Sequence, residues 1–465
     1  MLLKKKKNFK FIGLVLIIGV LFSCGKDDGG TPNDDDPPTG FLGELEYVKT
    51  FGGSGEDEAT AILQTSDGSY MVFGSTRSND GDITDKAGID ADYWLLKLSS
   101  EGELIWSKTY GGSEDDKGSR ISKTNDGGYL LSGYSTSNDG DVSGNEGFHD
   151  YWIVKVNSEG AIQWDLNFGF PGSDQAHDAF QTTDGGYFIT GFFDVSACGV
   201  DLCPGDDLWD GQDPVESKNG QHGVGEYWAI KLDGNGTKQW RRYFGGSNND
   251  RSYDALQTAD GGFLMVGASE SADFDITDDK GSYDYWAVRI TETGGLVWTK
   301  SFGGSEIDVG YAVSRSNDGN YILVGDSRSE DKDVTNPLGN ADAWAVKFSD
   351  DGNLIWQKNY GGDQFESGRS IVPMSDGNYL IAGSTRSANG DITVNRGQND
   401  AWIYKINEQG ALVFQISAGG SSLDFATAAL ETPDNKIVAV GNTESNDFDI
   451  PMNRGIKDVL LIKIK

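Results

Sequence analysis

One unit of sequence recurs seven times along this chain, and no other feature limits its fold as tightly. A marker residue followed by glycine opens each copy: Phe51, Tyr110, Phe168, Phe244, Phe302 and Tyr360, with Ala418 in the last. The spacings are 59, 58, 76, 58, 58 and 58 residues. Sixteen residues after each marker stands an Asp (Asp67, Asp126, Asp184, Asp260, Asp318, Asp376, Asp434). Twenty-three residues after it stands a Gly (Gly74, Gly133, Gly191, Gly267, Gly325, Gly383, Gly441). A fixed period of this length marks a repeat architecture in which each copy is one supersecondary module.

Each module reads as four strands. The first runs through segments such as 60–65 to an Asp-Gly turn, where left-handed backbone favours Gly or Asn. Residues 70–75 return as the second. A longer loop leads to Asp92-Tyr93-Trp94 and the apolar third strand, and Ser-Glu-Gly turns it into a fourth over 104–109. No stretch inside the repeats has helical periodicity with caps. Four-stranded units in this number predict an all-β, seven-bladed β-propeller. The ends predict its closure. Residues 45–50 match a fourth strand, with Tyr47 and Lys49 in the slots of Trp106 and Lys108, and residues 458–465 match a third. Pairing the two completes the last blade and removes an exposed edge.

Eleven of the twelve Trp fall at two repeat positions, Trp94, Trp152, Trp228, Trp286, Trp344 and Trp402 on third strands and Trp106, Trp164, Trp240, Trp298 and Trp356 on fourth strands. In-register aromatics of this kind pack blade against blade. Composition narrows the function. Net charge is −35, from 38 basic and 73 acidic residues, which argues against nucleic-acid binding. The three His (His149, His177, His222) share no repeat register, and neither Gly-x-Ser-x-Gly nor His-Glu-x-x-His occurs. A non-enzymatic role is therefore expected.

The N-terminus carries an address. Lys4–Lys7 and Lys10 precede an apolar stretch over 11–22, too short for a membrane-spanning helix and of the form of a secretory signal. Leu21-Phe22-Ser23-Cys24 resembles the lipobox of bacterial lipoproteins, in which Cys24 takes the acyl chains; the other reading is a cleaved signal with a chance Cys. The acidic, Gly- and Pro-bearing segment 24–43 reads as a flexible tether. Its Lys26-Asp27-Asp28 resembles the signal for export to the outer face of the outer membrane, with a periplasm-facing anchor as the alternative.

Segments such as Phe302-Gly-Gly-Ser-Glu-Ile-Asp308 and Asn340-Ala-Asp342-Ala-Trp344-Ala-Val-Lys347 resemble the bacterial β-propeller repeat family with SBBP-type repeats, over residues 44–465. That resemblance implies the propeller and a cell-surface setting, and no single activity. The loop after the second strand departs from it, carrying Asp-x-Asp where the family more often has Asp-Phe-Pro.

Two acid sets fall on the rim that carries the Gly-Gly linkers and the long second-to-third loops. Six residues past each marker stands Asp57, Asp116, Asp174, Asp250, Asp308, Glu366 or Asp424. Seven ionised carboxylates round one channel mouth would repel, so each is expected to accept backbone N–H groups and fix its linker; cation capture is the alternative. The second set is Asp80/Asp82, Asp139/Asp141, Asp273/Asp275, Asp331/Asp333, Asn389/Asp391 and Asp447/Asp449. Hard oxygens at this spacing make Ca²⁺ a candidate ligand, beside a loop-capping role. Alternate residues on a strand lie roughly 6–7 Å apart, so the chain would have to curl; Gly81, Gly140 and Gly390 permit it, whereas Phe274, Lys332 and Phe448 fill that slot elsewhere. No cofactor is expected to be required.

Blade three breaks the pattern. Gly191 to Glu226 spans 35 residues against 17 or 18 in the other blades. The excess, about 197–222, holds Cys198, Cys203, Asp206, Asp207, Trp209, Asp210, Asp213 and His222. Cys198 and Cys203 form an even pair suited to a disulfide in an oxidising compartment, with free thiols as the alternative. Trp209, the one Trp outside the packing positions, sits among acids, as an aromatic that stacks on a sugar or anchors a protein contact would; the other reading is a loop whose Trp packs on its own blade. The leading expectation is a surface-anchored binding or scaffold module for a protein or glycan, with no nucleic-acid partner and membrane contact through the lipid alone. A polysaccharide hydrolase or lyase working on the same rim is the runner-up.

Overall fold

The computed structural model describes residues 41–194, 223 and 225–465, and over them the repeat becomes seven four-stranded antiparallel sheets. Blade one is typical: inner strand Asp57–Gln64, then Tyr70–Thr76, Asp92–Leu98 and the outer Leu104–Tyr110. The closing sheet runs Asp424–Glu431, Ile437–Thr443, Asp458–Ile464 and then Leu45–Phe51. Val48 stands opposite Ile462 and Phe51 opposite Val459, so the expected closure is present. The seventh blade is thus built from both ends of the propeller, and the ring has no unpaired seam.

Every inner strand carries a bulge near its start, between Ala59 and Ala61 in blade one. The bulge explains the glycine twenty-three residues after each marker. A β-carbon on Gly74 would stand 1.9 Å from the Glu58 carbonyl oxygen, and on Gly441 1.8 Å from that of Phe425. Only glycine lets the second strand pass the bulge. The Asp-Gly turns also form as expected, with Gly68 at φ 82° and Asn435 taking the same left-handed position at φ 60° in the last blade.

The six third-strand Trp are fully buried, and each hydrophobic cluster joins two neighbouring blades. The join is specific. Tyr93 packs its ring at a tilt against Trp152 of the next blade, centroids 4.5 Å apart, and donates its hydroxyl to the Trp152 carbonyl at 2.8 Å. Tyr227 repeats this with Trp286 and Tyr285 with Trp344, at 2.9 and 3.0 Å. Each such Trp removes about 200 Å² from water, about 5 kcal/mol at most. Fourth-strand Trp are less deeply buried; Trp240, Trp298 and Trp356 donate their indole N–H to a hairpin carbonyl of the following blade, Glu292, Asp350 and Glu408.

The hairpin rim is occupied with its own pairing. Lys155 and Lys231, buried on third strands, reach Asp126 and Asp184 at 2.9 Å, and Arg289 reaches Asp260 at 2.5 Å. The Asp sixteen residues after each marker is thereby explained as a turn cap and counter-ion.

Candidate functional site

The other rim is built from the inter-blade linkers. Asp57 does not face the channel mouth, as a ring of acids on the rim would require. It is the first residue of the inner strand, fully buried, and turned back into its own linker. Its Oδ2 accepts the Gly53 N–H at 2.7 Å and the Ser78 hydroxyl at 2.8 Å, and its Oδ1 accepts the Thr76 hydroxyl. Asp116, Asp250, Asp308, Glu366 and Asp424 hold their linkers in the same way, through Gly112, Gly246, Gly304, Gly362 and Gly420. In blade three Asp174 takes the N–H of Phe170, which replaces the second linker glycine. Strand alternation explains the placement: Glu58, one residue on, is turned the other way, partly exposed and paired with Lys457 at 2.8 Å.

Asp80 and Asp82 lie above the same linker. Asp80 Oδ1 accepts the Ser54 N–H at 2.7 Å and Asp82 Oδ2 the Gly52 N–H at 3.0 Å. Asp139/Asp141, Asp273/Asp275, Asp331/Asp333 and Asp447/Asp449 repeat both bonds, and Asn389/Asp391 does so with an amide oxygen. The curl between each pair is present whether or not glycine fills the slot. Gly81 has φ 67°, while Phe274, Lys332 and Phe448 take φ 52°, 54° and 54°. Left-handed backbone in such residues costs on the order of 1–2 kcal/mol, offset by the carboxylate bonds it permits. Basic side chains from the preceding blade also reach this set: Arg454 meets Asp82 at 3.1 Å, Arg396 meets Asp449 at 3.0 Å and Lys280 meets Asp333 at 3.8 Å.

Asp275, one of the candidate Ca²⁺ ligands read from the sequence, is tied both to its linker and to the fourth strand. Its Oδ2 accepts the Gly245 N–H at 3.1 Å, its own N–H donates to the Gly245 carbonyl at 3.3 Å, and its carbonyl accepts the Thr299 hydroxyl at 2.7 Å. Asp273 is turned to a different donor, the Ser247 N–H at 2.8 Å. The pair therefore caps two separate linker N–H groups. The same division holds for Asp80 with Asp82, Asp139 with Asp141, Asp331 with Asp333 and Asp447 with Asp449, whose carboxylates are shared between linker donors in the same way. Among the described residues no group of three or more His, Cys, Asp or Glu is arranged to hold a metal ion.

A third acid set completes each linker, and the sequence reading passed over it. The first residue of the third strand is Asp92, Asp150, Asp284, Asp342, Asp400 or Asp458, with Glu226 in blade three. Asp458 Oδ2 caps its own loop through the Arg454 N–H at 2.9 Å, and Asp400 does the same with Arg396 at 3.0 Å. Their Oδ1 atoms are buried without a hydrogen-bond partner, as are those of Asp92, Asp150 and Asp284. Burial pushes Asp92 and Asp284 up to about 7, and Asp150, Asp342, Asp400 and Asp458 up to about 6. Neighbouring acids add to the shift, Asp57 and Asp82 in the case of Asp458.

The channel wall is asymmetric. Arg120 of blade two reaches Asp178 of blade three at 3.4 Å and Asp254 of blade four at 3.2 Å. Asp178 and Asp254 in turn accept the Ala255 and Val313 N–H groups of the following inner strands. His177 packs on Tyr253 at 5.0 Å, and burial drives it down to about 4, a neutral imidazole. At the mouth between blades five, six and seven opens a cavity of about 360 Å³ whose lining includes Arg328, Arg369, Arg386, Phe365 and Tyr311. Two further cavities of this rim, of about 510 and 440 Å³, lie over the linkers at Gly169 and Gly111. Repeat periodicity could not flag this cavity, since Arg328 and Arg386 share a slot with Arg77 and only the acids around them are missing.

Cys24, Cys198, Cys203, Asp206, Asp207, Trp209, Asp210, Asp213 and His222 lie outside the described residues. No protein-family model and no curated protein matches the chain. Among solved structures, a fungal alcohol oxidase of the AA5 family in complex with copper shares 11% identity at TM-score 0.50, over 91% of this chain and 76% of its own. The Neurospora crassa Pan2 WD40 domain shares 8% at TM-score 0.47, over 87% and 88%. A protein of unknown function from Bacteroides caccae shares 10% at TM-score 0.39, over 70% and 90%. At these identities the likeness is one of fold.

Proposed function

We propose that this propeller is a non-enzymatic binding or scaffold module that engages a protein or glycan partner through its long-loop rim, held on the outer face of the outer membrane by lipid on Cys24. The observation that carries the binding face is the contrast between the rims. Hairpins on one side are short, and their exposed Asp are paired with Lys and Arg whose side chains are buried on the third strands. On the other side the loops are long, differ from blade to blade, and enclose cavities of about 510, 440 and 360 Å³. The surface address rests on the lipobox-like Leu21-Phe22-Ser23-Cys24 and the Lys26-Asp27-Asp28 that follows, together with the likeness to SBBP-type repeats.

Partner capture from intact cells by the chain released from its anchor tests the binding role. Specific recovery of a surface protein or glycan supports it, and recovery of nothing above a bead control contradicts it. For the address, Cys24→Ser should move the protein from the membrane to the soluble fraction. Replacing Lys26-Asp27-Asp28 by Ala should then shield it from external protease, and continued cleavage on whole cells would contradict outward export.

A further inference from the structure

We infer that the cavity at the channel mouth between blades five and seven binds an acidic sugar residue, its carboxylate or sulfate held by Arg328 and Arg386 and its ring face on Phe365. This rests on the reading of the long-loop rim as the binding face and names what that face takes. The repeat itself supplies the argument. Arg77, Arg328 and Arg386 occupy one slot, just past the second strand of blades one, five and six, and each donates its backbone N–H to the residue before its own inner strand: Glu56, Ile307 and Phe365, at 2.9, 3.0 and 2.9 Å. The backbone frame is therefore the same in all three.

What differs is the acid. Arg77 meets Asp115 of the next blade at 2.5 Å and Glu56 of its own at 3.9 Å. The positions of those two acids hold Ile307 and Phe365 around Arg328, and Phe365 and Leu423 around Arg386. Both guanidiniums instead flank the Phe365 ring, at 5.7 and 5.8 Å from its centre, and Arg386 Nε donates to the neutral Asn399 Oδ1 at 2.8 Å. A third, Arg369, stacks on Tyr311 at 3.8 Å. Among the described residues none of the three forms an ion pair with a carboxylate, although Arg77, Arg120, Arg289, Arg396 and Arg454 all do. In a chain with 73 acids and 38 bases, three such arginines together are a departure that needs a cause.

Two acids do border the cavity, and both are engaged. Asp326 accepts the Ser367 hydroxyl at 3.0 Å and feels the charges of Arg369 and Arg328, with neither in direct ion-pair contact. Glu366 accepts the N–H groups of Gly362 and Ser387 at 2.8 and 3.0 Å and so belongs to the linker. The corresponding place in blade one, between Glu58, Arg77 and Lys117, is closed to about 10 Å³, whereas here about 360 Å³ stays open. Planar guanidiniums present paired N–H donors that match a carboxylate or sulfate. Phe365 is 38% exposed, a flat apolar face between them of the kind a sugar ring covers. The volume suits one or two rings, and the strongly negative chain disfavours an extended polyanion over a ligand with a single charge.

Calorimetric titration of the full-length chain at low salt, with methyl glucuronide, methyl galacturonide, their neutral parent glycosides and sodium sulfate, tests this. At least one acidic glycoside should bind, its neutral parent at least tenfold more weakly. Phe365→Glu restores the acid that blade one already uses; it should cost at least tenfold in affinity and leave the melting temperature unchanged. Arg328→Gln/Arg386→Gln should do the same and serves if the Glu variant fails to fold. Absence of binding by both acids, equal binding of the neutral parent, equal binding of bare sulfate, or unaltered affinity in the variants overturns the proposal. A null titration alongside partner capture that maps to the rim would remove the acidic-sugar assignment and leave the binding face standing.

Discussion

Asp57 Oδ2 and Asp458 Oδ1 close on the same face of Gly52, each within 2.6 Å of where a β-carbon on that glycine would stand. Asp57 opens blade one and Asp458 lies on the third strand of blade seven, so the ring closure brings two buried carboxylates together at a single linker. Gly111, Gly303 and Gly419 are approached in the same way by Asp92 with Asp116, Asp284 with Asp308, and Asp400 with Asp424. Packing the linkers this tightly concentrates negative charge out of water, which the fold tolerates by raising the proton affinity of one partner.

That charge sets a pH dependence whose sign follows from linkage. Burial holds Asp458, Asp400, Asp342 and Asp150 at about 6, Asp92 and Asp284 at about 7 and Asp174 at about 8 in the folded chain, above the usual carboxylate range. Between about pH 4 and pH 8 the folded state binds more protons than the unfolded chain, so stability falls as pH rises through this window. On the hairpin rim the sign is opposite. Against a modest burial penalty, the Thr124 hydroxyl and Lys155 hold Asp126 down at about 2, and Thr182 with Lys231 does the same for Asp184. Their contribution is lost as pH falls below about 4. The melting temperature should therefore peak near pH 5 and drop by about 5 °C at pH 8. Asp458→Asn, which turns an N–H toward Asp57, should flatten part of that slope and add about 1 kcal/mol at pH 8. A melting temperature that rises steadily from pH 5 to 8 would contradict this.

Removal of residues 1–50 should weaken the whole ring, because it strips most of the strand that pairs with Asp458–Ile464. A closed array loses an interface when one end is cut. The expected drop in melting temperature is about 5 °C or more by calorimetry, and an unchanged transition would show that the seam contributes nothing.

Calcium is not expected to be needed for folding, since Asp80 with Asp82, Asp273 with Asp275 and their counterparts already accept linker N–H groups. Chelator treatment should leave near-UV dichroism and the unfolding transition in place. A large loss of stability on chelation would promote these pairs to metal ligands.

Much of the fold was legible because the physics that builds a blade acts on every copy. Glycine beside the bulge, Trp on the third strand and Asp after the linker recur at fixed spacing, so each copy confirms the others. The pairing of Leu45–Phe51 with the last third strand followed from counting strands. Contacts between blades were less visible. Asp458 and Asp57 are 401 residues apart, and nothing in either local sequence says that they share a linker. The curl at Phe274 and Phe448 was hidden by their residue type, because hydrogen bonds to a distant linker, not local propensity, decide the backbone there. For the same reason the capping role of Asp275 was legible but its partner was not: Gly245 lies thirty residues back, beyond any local motif. The cavity at Arg328 and Arg386 was invisible for the opposite reason, since a scan for regularity discards the positions where one blade departs from another.

Excision of residues 197–222 bears on the blade-three insertion as the recognition element, with Trp209 at its centre. The remaining blade is complete without it, since 187–193 and 226–232 already pair along their length. A loop of this size is thermodynamically cheap to remove or keep. The shortened chain should melt within about 2 °C of the parent and lose partner capture. Full capture by the shortened chain would place recognition elsewhere on the rim.

The central claim, that partners engage the long-loop rim, is tested most directly by hydrogen–deuterium exchange with and without a captured partner. Protection is predicted in the loops 77–91, 136–149, 270–283, 328–341, 386–399 and 444–457, or a contiguous subset of them, with the hairpins at 124–128, 182–186, 258–262 and 316–320 unchanged. Protection confined to those hairpins, with the long loops exchanging as in the free protein, would contradict it.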